Sequence, residues 1–282
     1  MAPVITKAPA EDLLRDALYY RLFEDAERAR WKMSDIPWSA IERDRASPNV
    51  IRIVREAARS ELTTFSATER FLEAFAEDVD FTQWMSVWFY EETKHPQALM
   101  RWLHEFGETV DTEFMRRGRV TEPFMKSRFG TLVTNIISEM VASSRYMNLR
   151  RLAKEPVLAR IAGHLAADEA RHASGFYSYA SSYIARAERP DAERLTAVKV
   201  LHLWISSTGK VEHPVNQFLQ RVTADDDLAA ELPFDFTEVR GRVCRMIGTL
   251  VDRPIEGPKD VMAHVRELIG VVRHNGGVDG VP

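Results

Sequence analysis

Two short stretches, Glu91-Glu92-Thr93-Lys94-His95 and Asp168-Glu169-Ala170-Arg171-His172, constrain this chain more than any other feature. In each, an acid precedes a glutamate and a histidine follows that glutamate three positions later. Three residues of α-helix turn about 300°, so the glutamate and histidine share a face one turn apart and can touch the same ion. The neighbouring Trp88, Phe89, Leu165 and Ala166 are apolar, which points to buried faces, where unpaired charges are rare. Solvated charges with locally satisfied histidines account for one such motif more readily than for two.

The surrounding pattern is helical almost throughout. An N-terminal helix over about 11–33 carries Leu13, Leu14, Leu18, Leu22 and Phe23 at helical spacing, and Pro37 lies in the connector after it. Pro48 opens a helix that should run to about residue 76, followed by one over 81–106 that Gly107 ends. Pro96 follows His95 inside it, which should free the Glu92 carbonyl and bend the helix. A third helix is expected from Pro123 to about Lys154 and a fourth from Val157 to Arg189, with Pro190 beyond. Further helices are expected near 192–207, 215–222, 236–250 and 258–272, with a turn at Gly209, an acidic connector Asp225-Asp226-Asp227 and a Gly-rich tail. Period-2 alternation is almost absent, so the fold class is all-α.

Short turns make the four central helices two antiparallel hairpins, and this geometry finds partners for the motifs. Glu169 lies 14 residues past the turn near Glu155, and Glu139 lies 16 before it. Glu92 lies 14 past the turn near Asp78, and Glu61 lies 17 before it. Glu56 and Glu69, the competitors for Glu61, fall about one turn too low and nearly two turns too high. Glu61, Glu92, His95, Glu139, Glu169 and His172 therefore form the set expected of a two-metal carboxylate site in a four-helix bundle. Hard oxygen donors with one imidazole per ion suit iron, or manganese as the alternative. Four buried acids without metal would take up protons instead. Glu61 and Glu92 with His95 would hold one ion, and Glu139 and Glu169 with His172 the other, with glutamates free to bridge.

The 282 residues suffice for one large domain, with a core over about 48–190 and with the 11–33 helix and the 191–272 helices packed around it. A net charge of -4 gives no general signal for nucleic acid. One cysteine, Cys244, excludes an internal disulfide framework and suits a reducing compartment. Without a run of 18 apolar residues or a secretory leader, no membrane insertion and a cytoplasmic location are expected.

The two motifs resemble those of the soluble ferritin-like di-iron oxygenases, and most closely the acyl carrier protein desaturases. Glu91-Glu-Thr-Lys-His95 is similar to that family's Glu-Glu-Asn-Arg-His, and Ala167-Asp-Glu-Ala-Arg-His172 to its Ala-Asp-Glu-Lys-Arg-His. Glu139 with the later Ala153-Lys-Glu155 looks like the intervening family segment, so the similarity spans about 50–190. It implies a ferritin-like four-helix bundle with additional peripheral helices, two iron ions, O2 as co-substrate, and a ferredoxin-type electron donor. It also implies that Glu91 and Asp168 each orient the histidine of the opposite motif. Three departures stand out. Ala142 replaces the family's threonine, leaving Ser143 as the nearby hydroxyl for handling O2; Pro96 follows a ligand histidine; and Glu61-Leu-Thr-Thr-Phe65 only approximates the first-helix motif.

The first functional expectation is a desaturase-like oxidase acting on an acyl chain, free or on an acyl carrier protein. The basic group Arg116, Arg117, Arg119, Lys126 and Arg128 could meet such an acidic carrier, or could be a solvated loop. The alternative is di-iron hydroxylation or amine N-oxygenation of a small biosynthetic intermediate; a long apolar channel favours the former and a short polar one the latter. Iron storage is a third reading, opposed by some 90 residues beyond Pro190, and a metal-free helical scaffold is another. A radical-generating reductase subunit would need a tyrosine where Leu99 stands. Trp31 and Trp38 could lie on an electron path or serve core packing. A homodimer is the base-rate expectation.

Overall fold

The computed structural model describes residues 17–119, 127–206 and 213–275, and every regular element among them is a helix. The expected helix start at Glu11, Leu13 and Leu14, the start at Pro123, Lys126, the Gly209 turn and the Gly-rich tail lie outside the described residues. None of the described helices is long and apolar enough to cross a membrane.

Helix α1 (Leu18–Ala29) leads through three short 3-10 turns to α2 (Pro48–Glu61), which Ser47 caps by accepting from Val50 N at 3.1 Å. The uninterrupted helix expected to residue 76 is instead two, because α3 (Thr64–Ala74) starts after a joint at Leu62 and Thr63. The Thr63 hydroxyl donates to Ser60 O at 2.7 Å and competes for a helical carbonyl just where Glu61 sits. Helix α4 (Val79–Glu105) starts on an Asp78 cap and passes through Pro96 without ending. After α5 (Thr112–Gly118) come two long partners, α6 (Arg128–Leu152) and α7 (Pro156–Arg186).

The C-terminal part comprises α8 (Pro190–Ser206), α9 (Pro214–Thr223), α10 (Asp226–Glu231), α11 (Phe236–Leu250) and α12 (Pro258–Asn275). The acidic run read as a connector is a helix start: Asp225 accepts from Leu228 N at 3.2 Å, and Asp226 and Asp227 occupy the first turn, where the helix dipole favours negative charge.

Helix α2 packs on α4, α6 on α7, and α4 on α7. Along these helices the buried residues divide into two apolar clusters with a polar belt between. One cluster includes Phe71, Phe81, Trp84, Trp88, Phe129, Ile136 and Phe176, and the other Val54, Leu99, Trp102, Leu149, Leu158 and Leu165. On α4 the switch falls between Trp88 and Ala98, and on α7 between Ala166 and Ala173, which is where the two motifs lie. Close approach of α4 to α7 depends on Gly175, where a Cβ would come within 2.3 Å of Trp84 Cζ2.

Candidate metal centre

The belt brings all six expected ligands together, all of them buried. Their donor atoms form two overlapping groups, Glu61, Glu92, His95 and Glu169 in one and Glu92, Glu139, Glu169 and His172 in the other, each within 4.8 Å. Glu92 and Glu169 belong to both groups, so these two are placed to bridge, while Glu61 and Glu139 stand at the ends. The rejected competitors are elsewhere: Glu69 is exposed, and Glu56 pairs with Arg221 on α9.

The donor set suits cations. His95 Nδ1, His172 Nδ1, Glu92 Oε1 and Glu169 Oε2 are buried without a hydrogen-bond partner. His172 Nδ1 and Glu92 Oε1 stand 2.8 Å apart yet are misaligned for a hydrogen bond. Leaving four such groups unpaired in an apolar interior is costly, and two hard cations would satisfy all of them. The residues therefore fit a pair of iron or manganese ions.

The outer nitrogens of both imidazoles face the acids that open the motifs, each crossing to the other hairpin. His95 Nε2 lies 3.1 Å from Asp168 Oδ2, and His172 Nε2 lies 3.2 Å from Glu91 Oε2. An acceptor on Nε2 holds the proton there and leaves Nδ1 as the ligating lone pair. Asp168 also accepts from Trp31 Nε1 at 2.8 Å and from Arg171 Nη2 at 2.5 Å, and Arg171 reaches Glu91 at 3.0 Å. Lys94 Nζ lies 3.8 Å from Asp168 and donates to Trp31 O at 3.3 Å.

Electrostatics follow from burial and neighbours. Burial is the main influence on Glu139 and, despite its hydrogen bond with Glu169, raises its carboxyl to about 8, with Glu92 and Glu61 adding repulsion. Burial likewise raises Glu169 well above the ordinary range, reinforced by Glu92 and Glu139. For Glu92 burial is outweighed by His95 and His172, which hold its carboxyl below the usual range. Both histidines are raised although burial opposes it, His95 mainly by the Glu92 charge and His172 mainly by the adjoining Glu169 and Glu91 carboxylates. Without metal, then, the cluster holds protons where the cations would sit.

Glu61 is held by residues that the motifs do not include. Its Oε1 accepts from Arg145 Nη2 at 2.6 Å and from the Tyr146 hydroxyl, while Oε2 lies 3.6 Å from His95 Nδ1. Arg145 is buried between the Tyr146 and Phe218 rings, 4.4 Å from each centroid. The signal available in the sequence was positional: Tyr146 follows Glu139 by two helical turns and shares its face.

Ser143 does not line the cavity beside the cluster; its hydroxyl donates to Ala166 O at 2.8 Å across the α6–α7 contact. Ser138, five residues earlier, lines that cavity together with Ala142. Trp38 bonds to Met33 O and lies under Arg101, away from the Trp31–Asp168 pair, and His164 stacks on Trp31 with centroids 5.1 Å apart. Of the basic group, Arg116 and Arg117 pair with Glu113 and Arg119 covers the Phe65 ring, while Arg128 is exposed. His213, which no motif marks, also lines the cavity, at the start of α9.

No curated protein matches the chain. The sequence model of the fatty acid desaturases does match, over residues 53–207, a span that holds all six clustered acids and histidines and more than half of the 282 residues. The helical bundle, the paired motifs and that match together establish that the chain belongs to the fatty acid desaturase family.

Proposed function

We propose that the protein is an O2-dependent oxidase built on a two-iron centre held by Glu61, Glu92, His95, Glu139, Glu169 and His172. Family membership makes it an oxidoreductase. The observation that carries the metal reading is the convergence of unpartnered, buried His95 Nδ1, His172 Nδ1, Glu92 Oε1 and Glu169 Oε2. Six acids in the belt exceed the four fixed cations Arg30, Lys94, Arg145 and Arg171, an imbalance that two divalent ions relieve.

Two iron ions bound there would supply the reduction of O2 and a two-electron oxidant. The chain's residues supply the rest. Asp168 and Glu91 hold the imidazole protons on Nε2, Arg145 and Tyr146 fix one oxygen of Glu61, and the two apolar clusters keep bulk water from the belt. One O2, two electrons and two protons convert a C–H bond to C–OH with release of one water, or a CH2–CH2 unit to CH=CH with release of two. A one-electron carrier of the ferredoxin type would deliver the electrons singly. The hydrogen-bonded run Trp31–Asp168–His95 gives it a covalent and hydrogen-bonded route inward.

Anaerobic reconstitution with ferrous iron tests the reading. Close to two equivalents of iron per chain are expected, with O2 uptake once a reductant is supplied and loss of both on Glu169→Ala. Fewer than one equivalent of iron or manganese, unchanged by that substitution, would leave a helical scaffold.

A further inference from the structure

The cavity beside the cluster has a volume of about 60 Å3, roughly enough for a handful of waters and far below the several hundred Å3 of a pocket for a large ligand. It lies between the α2–α3 joint, α6 and the start of α9, and meets the surface where Thr63, Ala67 and Pro214 are half-buried. Its walls are short of apolar length. Ser60, Thr63, Thr64, Asn135 and Ser138 contribute polar groups, set against Ala67, Trp88, Ala142 and Val215.

Among the described lining residues there is no lysine or arginine, and the only acids are four of the candidate iron ligands. Burial keeps His213 neutral, its imidazole lowered to about 3. With two divalent ions in place, no lining group is left to pair with a charged substrate. Three of the four lining hydroxyls have also spent their protons. Thr63 Oγ1 donates to Ser60 O at 2.7 Å, Ser138 Oγ to Asn135 O at 3.1 Å, and Thr64 Oγ1 to Glu92 Oε2 at 3.2 Å. Asn135 Nδ2 donates to Thr131 O at 2.8 Å, which leaves its Oδ1 toward other partners. What these groups offer is lone pairs, and the one buried donor left without a partner among the described lining residues is the Trp88 indole N–H.

We propose that the substrate is a compact molecule, uncharged where it meets the cluster and bearing O–H or N–H donors there, rather than a long acyl chain. This rests on the two-iron reading, since uncompensated carboxylates would instead attract a cation. A buried acceptor left unpaired is penalised, so a donor-bearing ligand gains over an isostere without one. An acyl chain would have to force the α2–α3 joint away from α6 and would bring no donor to these oxygens.

Binding to the iron-loaded full chain, followed by ligand-observed NMR, tests this with matched probes: 1-butanol against methyl propyl ether, and aniline against toluene, with palmitoyl-pantetheine thioester as the acyl chain. The donor of each pair should bind about tenfold more tightly than its isostere, and the thioester should not displace it. Thr63→Val and Ser138→Ala each remove an acceptor at nearly constant volume and should narrow that gap to about threefold. Ala142→Phe should fill the cavity and abolish donor binding; if that variant does not fold, the two acceptor variants decide. Equal binding within the pairs, no binding of either donor, or preferential binding of the thioester overturns the proposal. Iron content on the same samples separates the two readings: full iron with thioester preference removes only the substrate class, and absent iron removes the oxidase beneath it.

Discussion

Asp168 accepts from three directions at once: from Trp31 Nε1 at 2.8 Å, His95 Nε2 at 3.1 Å and Arg171 Nη2 at 2.5 Å. Burial works against its ionisation, but the bond to His95 and the surrounding positive charge hold its carboxyl below the ordinary range. Asp168→Asn preserves shape and changes this logic. An amide has one acceptor oxygen and cannot serve all three donors, and if its NH2 faces His95 the imidazole proton moves to Nδ1, the atom needed for metal. Iron affinity should fall about 10- to 100-fold, read by iron retained under a competing chelator. Retention equal to wild type would remove Asp168 from the machinery. The residues of this belt differ in how far the sequence exposes them. Each motif reads acid, glutamate, any residue, base, histidine, and that repetition makes four of the six ligands and both flanking acids visible, while Glu61 and Glu139 follow from the register of the two hairpins. Tyr146 is marked only by its place two helical turns after Glu139, while Arg145, 84 positions from Glu61, and His213, on a helix outside the hairpins, are announced by no local spacing.

Helix α1 lacks a cap of its own, since Ala17 offers no side-chain acceptor at its start. Asp80, in the first turn of α4, supplies one across the fold by accepting from Leu18 N and Tyr19 N at 3.0 Å each, and it also takes the Tyr179 hydroxyl at 2.6 Å. Asp80→Ala should therefore cost about 1–2 kcal/mol and concentrate its effect in α1. Amide hydrogen exchange should quicken over residues 18–24 while α6 and α7 keep wild-type protection; uniform loss of protection would mean that Asp80 supports the whole bundle instead. Other helix ends were legible because their signals are local. Ser47-Pro48, Asp78 and Glu155-Pro156 each carry a side-chain acceptor or a proline at the boundary. The break after Glu61 was not, because a threonine hydroxyl turning back on Ser60 O leaves the apolar periodicity undisturbed. Nor was α10, where three successive aspartates read equally well as a solvated link or as a capped first turn.

Across the whole molecule the clustered acids couple stability to pH in a way that depends on metal. In the metal-free chain Glu139 is raised to about 8 from an ordinary 4.5, and Glu169, His95 and His172 are raised as well. A group whose folded value lies above its unfolded one binds its proton more tightly when folded, so the stability it adds is complete below the unfolded value and is lost as pH rises through the folded one. For Glu139 that loss extends from about 4.5 to about 8. The metal-free protein should thus weaken between pH 6 and pH 8, when its buried acids begin to repel. Metal ions replace those protons, so the loaded protein should not weaken in that window, and loading should itself release protons into weakly buffered solution. The gain in Tm on adding ferrous iron anaerobically should be larger at pH 8 than at pH 6 by roughly 5 °C, given the few degrees per kcal/mol expected for a domain of this size. Calorimetry of metal-free and loaded protein at the two pH values makes the comparison. A gain that is the same at both would mean that the protons and the metal ions do not compete for Glu139, Glu169, His95 and His172.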